Sequence, residues 1–152
     1  MKLNFRIIAI FTLITIAALS QTMLAQTSRL SSKVDVPFAF DYGKQHFAAG
    51  IYTVTMRDQN ILTLSGVNRA AWGMIQAGYD PTAHDKGCVT FRKYGNRYFL
   101  TEFSPANASI HASVFESSDE RRAARDFATG HLAPSQVQVA LLSNAGDNPP
   151  SK

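Results

Sequence analysis

Between residues 33 and 142 the chain repeatedly alternates apolar with polar or small side chains at a period of two, in short runs separated by turn-forming residues. Successive side chains of an extended strand point to opposite faces, so a chain of this kind buries one face of a sheet and does not pack as a helical bundle. Val34, Val36, Phe38 and Phe40 alternate with Asp35, Pro37, Ala39 and Asp41, and Tyr52, Val54 and Met56 alternate with Thr53, Thr55 and Arg57. Pro37 has no backbone donor, which places the first run at a sheet edge or a bulge. Residues 45–47, 61–65, 70–77 (with Trp72) and 136–142 read as further strands, and turn residues at 42–44, 58–60 and 66–68 divide them. With the hairpin below, this makes seven or eight short strands, a mainly β single domain that is an antiparallel β-barrel or β-sandwich. The count does not separate the two.

The sharpest local signal lies in residues 88–103, where Gly95-Asn96 sits between two aromatic and β-branched runs and fits a two-residue type II′ hairpin turn. Regular pairing outward from that turn sets Tyr94 against Arg97, Lys93 against Tyr98, Arg92 against Phe99, Phe91 against Leu100, Thr90 against Thr101 and Val89 against Glu102. Phe99 and Phe103 then share one face, and Phe91, Leu100 and Val89 the other. Large apolar groups on both faces imply that both are covered. The expected cover is a helix at residues 118–128. Ser117 and Glu120 have capping-box spacing, Asp119 and Glu120 occupy the first turn, Ala123, Ala124, Phe127 and Ala128 form a stripe, and Gly130 ends it.

Composition narrows the setting. Hydrophobic residues make up 45% of the 152 and charged residues 17%, against roughly 25% charged in ordinary soluble domains, so a real core is expected. Residues 1–25 have a signal peptide's layout: Lys2 and Arg6, an apolar run at 7–19, then a polar stretch ending at Ala25. Cleavage is expected after Ala25, with Ser20 as the alternative. The run is interrupted by Thr12 and Thr15 and is shorter than the roughly 20 residues of a membrane span, so no transmembrane segment is expected after cleavage. Without Lys2 and Arg6 the formal charge falls from +4 to about +2, too weak for nucleic-acid binding. Residues 26–32 read as a flexible lead-in, 33–142 as the β-rich domain and 143–152 as a disordered tail. The expected location is secreted or periplasmic. Cys88 is the single cysteine, so no intrachain disulfide forms, and a small apolar residue tucked into a strand is favoured over an intermolecular bridge or reactive thiol.

Three phrases carry a resemblance: Val34-Asp-Val-Pro-Phe-Ala-Phe with Gly43, Ala49-Gly-Ile-Tyr-Thr-Val, and Tyr94-Gly-Asn-Arg-Tyr-Phe-Leu-Thr-Glu. Together they resemble small exported β-rich proteins common in soil bacteria of the acidobacterial type. Residues 118–124 are similar to the Ser/Arg/Glu-rich helical start that often follows there. The resemblance implies an envelope or secreted β-domain and carries no catalytic residue over. The chain departs from it at Phe47-Ala48, where a Leu-Pro pair is usual. The second phrase is also similar to a Gly-x-Tyr-x-Val phrase of transthyretin-like surface sandwiches.

Local catalytic phrases are missing. There is no Gly-x-Ser-x-Gly elbow, no phosphate-cradling glycine loop, and no HxH or HExxH spacing among His46, His84, His111 and His131. The loop at 78–87 gathers Asp80, His84, Asp85 and Lys86, but Pro81 and the flanking glycines break any helical spacing, and a solvated loop is the simpler reading. Arg121, Arg122 and Arg125 alternate with Asp119, Glu120 and Asp126 as on an ordinary solvated helix face. Guanidinium groups beside aromatic rings are more informative: Arg92 with Phe99, and Arg97 with Tyr94. The leading expectation is an exported non-catalytic β-domain binding a small ligand or a cell-envelope partner through Arg92, Tyr94, Arg97, Phe99 and Phe103. The alternatives are a structural, homo-oligomerising envelope protein, and a small hydrolase or metal-dependent enzyme using Asp80, His84 and Asp85. No metal site, cofactor or catalytic residue is assigned. A ligand held inside a barrel would require an open interior.

Overall fold

The computed structural model describes residues 29–80, 86–130 and 133–142. The leader, the tail, His84, Asp85 and His131 lie outside them. Among the described residues, ten strands and one helix follow in the order β1 (Arg29–Val36), β2 (Phe40–Tyr42), β3 (Gln45–Phe47), β4 (Gly50–Arg57), β5 (Ile61–Ser65), β6 (Ala70–Tyr79), β7 (Cys88–Tyr94), β8 (Arg97–Ser104), β9 (Ile110–Val114), α1 (Ser118–Ala128) and β10 (Ser135–Leu142). Eight of the strands close into an antiparallel barrel in the order β8-β7-β10-β1-β4-β5-β6-β9 and back to β8. The fold is therefore the barrel, not the sandwich.

Closure rests on β9, which pairs with β6 from Ile75↔Val114 to Tyr79↔Ile110 and with β8 at Glu102↔Ser113 and Phe103↔Ala112. The alternation pattern did not mark this strand. Pro37 ends β1, and the chain resumes as the short β2–β3 hairpin, with β2 parallel to β8 at Asp41↔Phe99. β1 also begins earlier than the alternation indicates, since Arg29 to Ser32 already pair with β4.

The interior is occupied by side chains. Phe40, Phe47, Phe91, Phe103, Leu62, Leu64, Val34, Val36, Val54 and Val89 are each almost wholly buried and belong to one contiguous cluster. Phe40 packs edge-on against Phe91 and Tyr52, with centroids 5.1 and 5.4 Å apart, and stacks on Phe47 at 5.3 Å. The β2–β3 hairpin thus plugs the barrel. Its Tyr42 hydroxyl donates to the Leu62 carbonyl at 2.7 Å, and the ring lies where a side chain on Gly73 would be, since a Cβ there would stand 2.8 Å from the hydroxyl oxygen.

The β7–β8 hairpin has the expected turn, with φ of +60° at Gly95 but no positive φ at Asn96. Pairing follows the regular register from Tyr94↔Arg97 to Phe91↔Leu100, then shifts: Thr90 faces Glu102 and Val89 faces Phe103. Thr101 is the extra residue of a β-bulge, and its hydroxyl donates to the Thr90 carbonyl at 3.2 Å. The bulge corrects the expected facing. Phe103 turns inward with Phe91, Leu100 and Val89, while Phe99 stays on the outer face with Tyr94.

That outer face is covered by α1, as the two-sided hydrophobicity requires. Ser117 caps the helix by accepting from the Glu120 amide at 3.1 Å, and the Gly130 amide closes the other end on the Phe127 carbonyl at 3.1 Å. Tyr94, Phe99 and Ala123 form a second small core with Ala124 and Phe127 packed against it.

Candidate functional site

The five residues singled out from sequence are divided by the fold. Phe103 is inside the barrel, and Tyr94 and Phe99 are sealed under α1. Arg92 reaches beneath the helix and donates to Glu120 Oε1 at 3.0 Å, the Glu120 side chain being only 4% exposed. Glu120 therefore departs from a full capping box: its amide bonds to Ser117, while its carboxylate serves Arg92. Burial pushes the Glu120 carboxyl up from its ordinary range, the Arg92 guanidinium pulls it back, and Glu116 adds a smaller push upward. Arg97 is the member left at the surface. Its guanidinium carbon lies 4.7 Å from the centroid of Phe99, not over Tyr94, and a shallow notch of about 260 Å³ opens beside it between Tyr94, Ala123, Asp126 and Phe127.

Arg97 also joins a polar seam that sequence spacing did not reveal. It donates to Asp41 Oδ2 at 2.9 Å, and the other oxygen of Asp41 lies 2.8 Å from His46 Nδ1. Beyond His46, the Arg69 guanidinium donates to the His46 carbonyl and sits 6.0 Å from the Phe47 centroid. Two arginines thus grip the β2–β3 hairpin, Arg97 through the Asp41 carboxylate that His46 shares and Arg69 through the His46 carbonyl. Asp41 and His46 face each other within the β2–β3 hairpin, and only the hairpin's seat between β8 and the β5–β6 turn brings Arg97 and Arg69 to them.

Next to the seam, a cleft of about 460 Å³ opens between residues 46–52 and the turn at 66–69. Its wall is mainly apolar, formed by Phe47, Ala48, Ala49, Ile51, Tyr52 and Val67, with the polar His46, Asn68 and Arg69 also lining it. Two of these groups project into solvent, Ile51 at 58% exposed and Val67 at 97%. The turn is held shut by the Gly66 amide bonding to the Arg69 carbonyl at 2.8 Å. Tyr52 anchors the opposite side by donating to the Ala48 carbonyl at 2.6 Å. A side chain on Gly66 would collide with the Tyr52 ring, its Cβ standing 2.7 Å from Cε1. An apolar wall with a convergent cation is suited to a small ligand with a hydrocarbon body and an anionic end.

The Asp80 amide bonds to the Ser109 carbonyl at 2.9 Å at the end of β6, while its loop partners His84 and Asp85 lie outside the described residues. His111 packs its ring over Gly78 on β6. Cys88 is half-buried in β7 between Ala140 and Ser104, where burial, with the Glu102 carboxylate acting in the same direction, pushes the thiol up against the opposing hydrogen bonds of Thr90 and Ser104. A thiol held in its protonated form is a poor nucleophile. Among the described residues no three His, Cys, Asp or Glu side chains gather as a metal set, and no helix is long and apolar enough to cross a membrane. No protein-family model, curated protein or solved structure matches the chain.

Proposed function

We propose that the protein is an exported, non-catalytic binding module that recognises its ligand on the outside of a filled barrel, in the cleft beside Arg69. The observation that carries this reading is the pairing of a side-chain-filled interior with an open, apolar-walled cleft of about 460 Å³ at the barrel's rim. Small barrels either fill their interior or enclose a ligand, and here binding moves to the rim. The ligand class is a small amphipathic carboxylate, its chain against Ile51, Tyr52 and Val67 and its charge at Arg69.

Octanoate is a suitable probe. In amide-resolved NMR titrations its addition is expected to shift Ile51 and the turn at 66–69, and Arg69→Ala is expected to weaken that binding roughly tenfold, the scale of a lost anchoring contact. Shifts confined to the notch beside α1, or none at millimolar octanoate, would remove the proposal. Export has its own readout. When the full chain is expressed in a secreting host, mass spectrometry of the recovered protein is expected to show a new start at Gln26 or Gln21. An intact leader on soluble protein counts against export.

A further inference from the structure

Strand β6 is oriented against its own side-chain sizes. Its inner positions are Ala71, Gly73, Ile75 and Ala77, of which only Ile75 is large, while Trp72 and Met74 point outward at 72% and 67% exposed. The registers of β1, β4, β5 and β6 then order the outer face into rows that run across the strands. Ser31, Thr55, Thr63 and Trp72 form one row, and Arg29, Arg57, Ile61 and Met74 the next. Adjacent strands lie about 4.8 Å apart, so the first row extends roughly 14 Å. It is a row of hydroxyls ending in an indole. Ser31 Oγ and Thr55 Oγ1 lie 3.1 Å apart, and Trp72, Thr63, Ile61 and Arg57 line an open groove of about 380 Å³.

Charge on this face is unbalanced in a specific way. Arg29 and Arg57 stand directly opposite each other across β1 and β4, an arrangement that costs stability for like charges. Lys33 extends the same side. Among the described residues none of the three makes an ion pair, and the nearest acidic residues in sequence, Asp35 and Asp58, are fewer than the cations.

We infer that this face is a binding site for an acidic oligosaccharide, laid across the strands with a sugar ring against Trp72, its hydroxyls on Thr63, Thr55 and Ser31, and its anionic groups at Arg57 and Arg29. A serine or threonine hydroxyl both donates and accepts, matching a hydroxyl-rich chain. An exposed indole offers a flat apolar plate to the C–H face of a sugar ring. Guanidinium groups bind carboxylates with two parallel donors. A protein partner would be met by clustered apolar anchors in a desolvated pocket; here Ile61 and Met74 lie beside the indole only on the side that also carries Arg57 and Arg29, and its cross-strand neighbour on β5 is a threonine with further hydroxyls beyond it. The site is separate from the rim cleft, so neither reading depends on the other.

Trp72 is the chain's one tryptophan, so intrinsic fluorescence reports this face directly. Titrating the folded protein with oligogalacturonate is expected to give a saturable change in emission that weakens as salt is raised. In calorimetry, Trp72→Ala and Arg57→Ala are each expected to weaken binding roughly tenfold. Both residues are exposed, and unchanged circular dichroism confirms that the variants remain folded. Three results overturn the inference: an equal response to a neutral oligosaccharide such as cellohexaose, a response to phosphatidylglycerol vesicles but not to the sugar, or no response to any probe. Arg69→Ala, which disables the rim cleft, is expected to leave sugar binding unchanged.

Discussion

Replacing Arg92 with Ala is expected to lower the unfolding free energy at neutral pH by about 3 kcal/mol, because it strands a buried carboxylate without its counter-charge. The Glu120 side chain is 4% exposed and accepts from Arg92 at 3.0 Å. The loss should depend on pH in a direction set by the Glu120 shift. Burial raises the folded-state value above the unfolded one even with Arg92 in place. Between the two values the folded protein holds the proton more tightly, so Glu120's contribution is greatest below the unfolded value and declines as pH rises through the raised one. Removing Arg92 pushes the folded value further up. The cost of Arg92→Ala should therefore be small in acid and reach its full size near neutrality, and Glu120→Gln should remove this part of the pH dependence. Urea unfolding across a pH series measures both. A cost for Arg92→Ala that is the same at every pH would show that the pair is not its source. The combined Arg92→Met, Glu120→Leu variant should recover most of the loss, since an apolar pair of similar volume avoids desolvating either charge.

Phe103→Ala is expected to cost about 3–5 kcal/mol, the range for emptying a buried aromatic site. Phe103 is fully buried and faces Val89 across the barrel wall. Its energetic coupling in double-mutant cycles should be with Val89 rather than with Tyr94 or Phe99 beneath the helix. Deletion of Thr101 supplies the contrasting result. Taking out the bulge residue leaves Val89 opposite Phe103 and Phe91 opposite Leu100, both pairs still facing inward. The deletion should leave a folded barrel and cost about 1 kcal/mol for the lost bond to the Thr90 carbonyl. Unfolding of the deletion variant would mean that the bulge's bend, and not only its register, is needed for closure.

These variants also mark how far the sequence could be read. Most of the strands, though not β9, were legible, as were the Gly95-Asn96 turn, the helix with its Ser117 cap and the covering of both hairpin faces, because each follows from local periodicity or backbone chemistry. The facing of Phe103 was not, since a bulge adds one residue without changing residue type and reverses everything beyond it. The site fared less well for the same kind of reason. Arg97 was visible as a cation beside aromatic rings, but its partner Asp41, with His46 opposite it, and Arg69 beyond them, come to it only through the seating of the β2–β3 hairpin.

Strand β6 shows where the division lies. Its alternation specifies two faces, Ala71, Gly73, Ile75 and Ala77 on one and Trp72 and Met74 on the other, and burial of the largest side chain would turn Trp72 inward. The barrel does the reverse because Tyr42, from a distant hairpin, already fills the space over Gly73. Local sequence determined which residues are extended, where they turn and which share a face. Only the tertiary structure decided which face is inside and that β9 closes the sheet, because those choices depend on how much volume non-adjacent segments bring to the same interior.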